Sequence, residues 1–101
     1  MKVKPIGPTR HGKQQYFFLC PGCAQYDDPG YTLHSKHVFD STWTYNGDGE
    51  KPTVDPSILL SGGGEPAYRC HSFIREGRIQ FLADCSHALA GQTVELPEIS
   101  P

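Results

Sequence analysis

Two short cysteine motifs constrain what this chain can fold into more than anything else in it. Cys20-Pro21-Gly22-Cys23 closes an aromatic run, Tyr16-Phe17-Phe18-Leu19, and Cys85-Ser86-His87 follows a second run, Arg78-Ile79-Gln80-Phe81-Leu82. A Cys-x-x-Cys turn lets two thiolates converge on one ion, and Zn²⁺ takes four such ligands in a tetrahedron. The spacing predicts a zinc ion that ties the early and late parts of the chain together. Cys20 and Cys23 supply two ligands, Cys85 a third, and His87 a fourth through its Cys-x-His spacing. Cys70 is the alternative fourth ligand. Four protein ligands close the coordination sphere, and a closed site is structural rather than catalytic. The competing accounts are a pair of buried thiols or a redox Cys-x-x-Cys, and no helix is read after Cys20 that would activate a thiol.

Size makes a metal useful. The chain has 101 residues, with 11 Gly and 9 Pro, and only 37% of it is hydrophobic. Average domains have roughly 45–50%. One domain is expected over 1–101, with 1–14 and 97–101 as loose ends. Its core is thin, and structural zinc supplies about 10–16 kcal/mol of apparent folding free energy in small peptides. Net charge is −2, so the broad basic surface that nucleic acid requires is missing and no nucleic-acid partner is expected. No apolar stretch approaches the ~20 residues of a membrane span. Met1-Lys2-Val3-Lys4-Pro5 has no apolar core of a signal peptide. A cytoplasmic setting is therefore expected, where four cysteines are thiols or metal ligands rather than disulfides.

Apolar residues come in short alternating runs bounded by Gly, Pro, Asn and Asp, with no sustained helical period. Strands are expected at 15–19, 36–39, 42–45, 57–60, 69–75, 78–83 and 93–96, giving a mainly β, antiparallel fold with little helix. One helical turn is expected over 86–90. Ser61-Gly62-Gly63-Gly64-Glu65-Pro66 reads as a flexible connector. In the C-terminal half, Glu76-Gly77 reads as a two-residue hairpin turn with Arg75 facing Arg78. Counting back from it sets His71 opposite Leu82 and Tyr68 opposite Cys85. Period-2 alternation then puts Tyr68, Cys70, Phe81 and Cys85 on one face. His71, Phe73, Leu82 and Asp84 share the other, so any chemistry lies on the face away from the thiols.

Three constellations remain. Ser57, in Pro56-Ser57-Ile58, could pair with His71, with Asp84 behind the imidazole, which is the arrangement for acyl transfer. Taken alone, Ser57 reads as a strand-edge residue and His71 as a hydrogen-bonded core histidine, and there is no Gly-x-Ser-x-Gly elbow. Trp43 and Tyr45 precede an Asn46-Gly47 turn and read as the aromatic anchor of a hairpin, with a ligand platform as the alternative. His11, His34 and His37 sit in polar surroundings and read as surface histidines.

Taken together, several segments resemble a known family. They are Cys20-Pro21-Gly22-Cys23, Trp43 to Asp48, Lys51-Pro52-Thr53, Pro56-Ser57-Ile58, Arg69-Cys70-His71-Ser72-Phe73, Gly77 to Leu82, and the closing Asp84 to Val94 with Leu96-Pro97. The chain resembles small phage and prophage proteins grouped as a domain of unknown function and sometimes mislabelled ammonia monooxygenase. Those proteins are similar in turn to peptidases encoded in bacterial ubiquitin-like conjugation operons, which share a cysteine-rich knuckle, a Pro-Ser-Ile segment and a later Ser-His-Phe segment. Carried over by residue, the family serine falls on Ser57 and the histidine on His71. Those relatives have a denser knuckle and a Gly-Cys before the histidine, where this chain has Tyr68; Cys85 is then expected to supply the missing ligand. The resemblance implies a zinc-stabilised, phage- or prophage-encoded hydrolase in the host cytoplasm. Ser57 would be nucleophile, His71 general base and Asp84 the orienting residue, acting on a ubiquitin-like or other peptide substrate. The rival reading is a non-catalytic zinc-binding interaction module that meets a protein or peptide partner through Trp43, Tyr45 and the Lys51 loop. The sequence leaves the oligomeric state open.

Overall fold

Short apolar runs interrupted by turn residues can each bury only one face, and they do so as strands of two antiparallel sheets packed on one core. The computed structural model describes residues 1–32, 34–62 and 68–99. Sheet A has the order β1-β2-β3, from Lys4–Pro8, Gln14–Leu19 and Lys36–Asp40. Sheet B has the order β4-β5-β6-β7-β8, from Thr44–Tyr45, Val54–Gly62, Tyr68–Arg75, Arg78–Phe81 and Thr93–Glu95. The helix among the described residues is one 3-10 turn, Cys23–Tyr26, which starts on the last cysteine of the Cys-x-x-Cys motif, a place where the sequence predicts no helix. Among the described residues, no helix is long and apolar enough to cross a membrane.

Alternation decides what each sheet turns inward. Phe18, His37 and Phe39 from sheet A meet Val54, Ile58, Cys70, Ile74, Ile79 and Phe81 from sheet B, all buried. The expected loose N-terminus is instead part of the fold. Lys4–Pro8 pairs with β2 as an edge strand, the place where Pro5 and Pro8 cost no ladder bond. Val3 is buried beside it, and the Met1 ammonium reaches Glu98 at 2.7 Å. At the other end, Leu96 is buried and Ile99 N–H bonds to Met1 C=O. Residues 100–101 and positions 63–66 of the glycine-rich connector lie outside the described residues.

The β6–β7 hairpin has the expected two-residue turn, Arg75 facing Arg78. Glu76 and Gly77 both have positive φ, 49° and 82°, which makes it a type I′ turn matched to the twist of the strands. The ladder runs back to Ser72 opposite Phe81, and Leu82 N–H still bonds to His71 C=O at 2.9 Å. There the expected register ends. Cys85 N–H folds back onto Leu82 C=O, and Ser86 N–H reaches Arg69 C=O. A turn at 82–85 thus shifts the chain by two residues, so Cys85 does not face Tyr68. The segment 86–90 makes successive turns rather than a helix, with Ala90 N–H on His87 C=O and Gln92 N–H on Leu89 C=O.

On β5, Val54 pairs with Ile74, and the next ladder partner is Ile58 with Ser72. Residues 55–57 therefore oppose Phe73 alone. A bulge of this kind re-aims the side chains it carries, and Ser57 is its last residue.

Candidate active site and metal centre

β6 is the wall between two groups of polar side chains. Cys70 and His71 are neighbours in sequence, so the pleat sends them to opposite faces of sheet B. On the outer face, the bulge turns Ser57 Oγ to within 3.0 Å of His71 Nε2. The displaced turn at 82–85 brings Asp84 Oδ2 to 3.3 Å from His71 Nδ1. Arg69, two residues before His71 on the same face, has Nη1 3.6 Å from the same carboxylate oxygen. A carboxylate at Nδ1 holds the ring proton there, leaving Nε2 as a lone pair that accepts the serine hydroxyl. The three residues singled out in the sequence thus stand in a Ser-His-Asp line.

Side chains hold this histidine where β7 no longer does. Cys85 Sγ accepts the His71 backbone N–H at 3.2 Å and donates to its C=O at 3.3 Å. Ser86 Oγ accepts Arg69 N–H at 2.9 Å. Two side chains substitute for the missing strand.

On the inner face, Cys20, Cys23, Cys70 and His37 are all buried, with one ligand atom from each lying within 4.8 Å of the others. All four cysteines are free. Cys20 Sγ and Cys70 Sγ are 3.7 Å apart, close to the ~3.8 Å edge of a tetrahedron built on Zn–S bonds of ~2.3 Å. Cys23 N–H donates to Cys20 Sγ at 3.4 Å, the knuckle geometry of the motif. S–H donation from Cys23 and Cys70 drives Cys20 well below an ordinary thiol, while the same contacts push Cys23 and Cys70 up. Burial holds His37 below its usual value, so its imidazole is neutral, and neither ring nitrogen has a hydrogen-bond partner among the described residues. Two orphaned nitrogens in a closed core facing three thiols fit a metal ligand better than a packing residue.

His37 is thus no surface histidine; it is 3% exposed. Its signal was present in Lys36-His37-Val38-Phe39, where alternation puts His37 on the inward face with Phe39. Cys85 and His87 form a neighbouring group with Cys70. Leu89 N–H donates to His87 Nδ1 at 3.2 Å, which places the ring proton on Nε2, and that buried nitrogen too has no hydrogen-bond partner among the described residues. The ring lies on Gly22, where a Cβ would meet it at 2.3 Å. Trp43 and Tyr45 pack against the core, Tyr45 with Tyr16 and Phe39, so the anchor reading describes them better than a platform. A cavity of about 600 Å³ opens elsewhere, lined by Lys51, Arg75, Arg78 and their acidic neighbours, and it contains none of Ser57, His71 and Asp84.

A family model described as "Bacterial ubiquitination-like system serine protease (BubE)" matches residues 4–82. The chain belongs to the BubE family. The matched span contains Ser57, His71 and all four members of the His37 cluster, and it ends before Asp84, Cys85 and His87. No curated protein and no solved structure matches the chain. The relation to peptidases of ubiquitin-like systems therefore stands on this BubE match and on the residues themselves.

Proposed function

We propose that this BubE-family chain is a zinc-stabilised serine peptidase, encoded by a phage or prophage, that cleaves at the tail of a ubiquitin-like protein or a similar peptide in the host cytoplasm. The observation that carries the reading is the 3.0 Å contact of Ser57 Oγ with His71 Nε2, backed by Asp84 on Nδ1. His71 takes the serine proton as Oγ attacks the peptide carbonyl, forming the Oγ–C bond. It returns that proton to the leaving amine as the C–N bond breaks, and water then releases the acyl group by the same route. Asp84 keeps the imidazole in the required tautomer and balances the imidazolium, and Arg69 steadies the carboxylate. Cys20, Cys23, His37 and Cys70 would hold the zinc, and four protein ligands would give it a structural rather than a catalytic role. A fusion of a ubiquitin-like protein to a C-terminal reporter provides the test. Wild type should cleave it and Ser57→Ala should not; equal cleavage by both would refute the assignment. Elemental analysis should give about one zinc per chain.

A further inference from the structure

β5 carries an open edge that begins at Ser57. β4 lies outside β5 in the sheet but pairs only with Val54 and Asp55. Beyond them β5 continues to Gly62 with no neighbouring strand on that side among the described residues. The ladder fixes which groups face outward. Leu82 N–H bonds to His71 C=O, so the main-chain polar groups of His71 point towards β7. Direction alternates along an antiparallel strand. Cys70 and Ser72 therefore turn theirs to Leu60 and Ile58, their β5 partners, and the amides and carbonyls of Leu59 and Ser61 point away from β6. Ser57 C=O points the same way, covered by the Trp43 indole N–H at 3.5 Å.

Proteins usually blunt such an edge with charge, proline or a bulge. Ser57-Ile58-Leu59-Leu60-Ser61-Gly62 has no charge and no proline, and the bulge ends where the edge begins. Leu59, opposite His71 on the ladder and on the same face, is 53% exposed. We infer that this edge is the substrate strand: an extended peptide pairs with the amides and carbonyls of Leu59 and Ser61, sets an apolar side chain against Leu59, and so brings its scissile bond to Ser57. The inference rests on the peptidase reading and gives it a substrate class, an unfolded tail rather than a folded surface. Continuity with the nucleophile favours a peptide over a second copy of the chain, because only a segment laid along the edge runs on to Oγ.

Amide hydrogen exchange on the Ser57→Ala protein tests the edge apart from the chemistry. The probe is acetyl-Ala-Leu-Ala-Leu-Ala-amide. With a Kd near 1 mM, ~5 mM peptide should slow exchange at Leu59 and Ser61 about sixfold, and an N-methylated leucine analogue should slow it less. Unchanged exchange at both amides overturns the inference. So does concentration-dependent protection without peptide, which would mean that two copies pair there. Fluorophosphonate labelling of wild type reads the triad separately. Labelling without protection leaves the peptidase reading and removes the edge; protection without labelling does the reverse.

Discussion

Ser57 is an ordinary alcohol until a base receives its proton, and the 3.0 Å contact with His71 Nε2 supplies one. Asp84 contributes by fixing the proton on Nδ1. Asp84→Asn should therefore lower kcat about 10²-fold or more with little change in KM, measured on a peptide ester; an unchanged kcat would remove Asp84 from the array. The residues proposed to hold zinc separate in a similar way. His37→Ala should weaken zinc more than about 100-fold in a chelator competition, whereas His87→Ala, removing a donor beside the thiols, should cost about tenfold. Equal losses would put His87 back among the ligands. Cys20 and Cys23 were legible from their spacing, Cys70 only as an alternative fourth ligand, and Ser57 and His71 through the family resemblance rather than through a motif of their own. His37 was passed over because its neighbours Lys36 and Asp40 gave it a polar appearance, although alternation with Phe39 marks it as inward-facing.

At the scale of elements, the hairpin count was sound as far as the two-residue turn governs it and failed past Leu82. Nothing in Leu82-Ala83-Asp84-Cys85 announces a turn that folds Cys85 N–H back onto Leu82 C=O. That turn nevertheless sets Asp84 beside His71, on the face they were expected to share by alternation. Strand β1 was hidden because Pro5, Gly7 and Pro8 argue against a strand everywhere except at an edge. The hairpin turn itself can be tested. Gly77 has φ 82°, and an added Cβ would sit 3.3 Å from Glu50 C=O. Gly77→Ala should destabilise the fold by about 1 kcal/mol or more in urea unfolding, and an unchanged midpoint would show that the turn relaxes freely.

For the whole molecule, one strand joins fold and chemistry: β6 offers Cys70 to the core cluster and His71 to the outer face. Stability and activity should therefore fail together when the inner cluster is disturbed. Burial keeps His37 and His87 below the ordinary histidine value of 6.5. Below that pH the unfolded chain binds protons that the folded chain does not, so stability should fall as pH drops from about 6.5 and level off above it. A urea midpoint that rises on acidification would contradict this. The central claim concerns Ser57 acting with His71 and Asp84. Its most direct measurement is the intact mass of the folded protein after exposure to a fluorophosphonate. The account predicts a single adduct on Ser57 in wild type and none in Ser57→Ala. A folded wild type that gains no adduct, or one whose adduct survives the substitution, would contradict it.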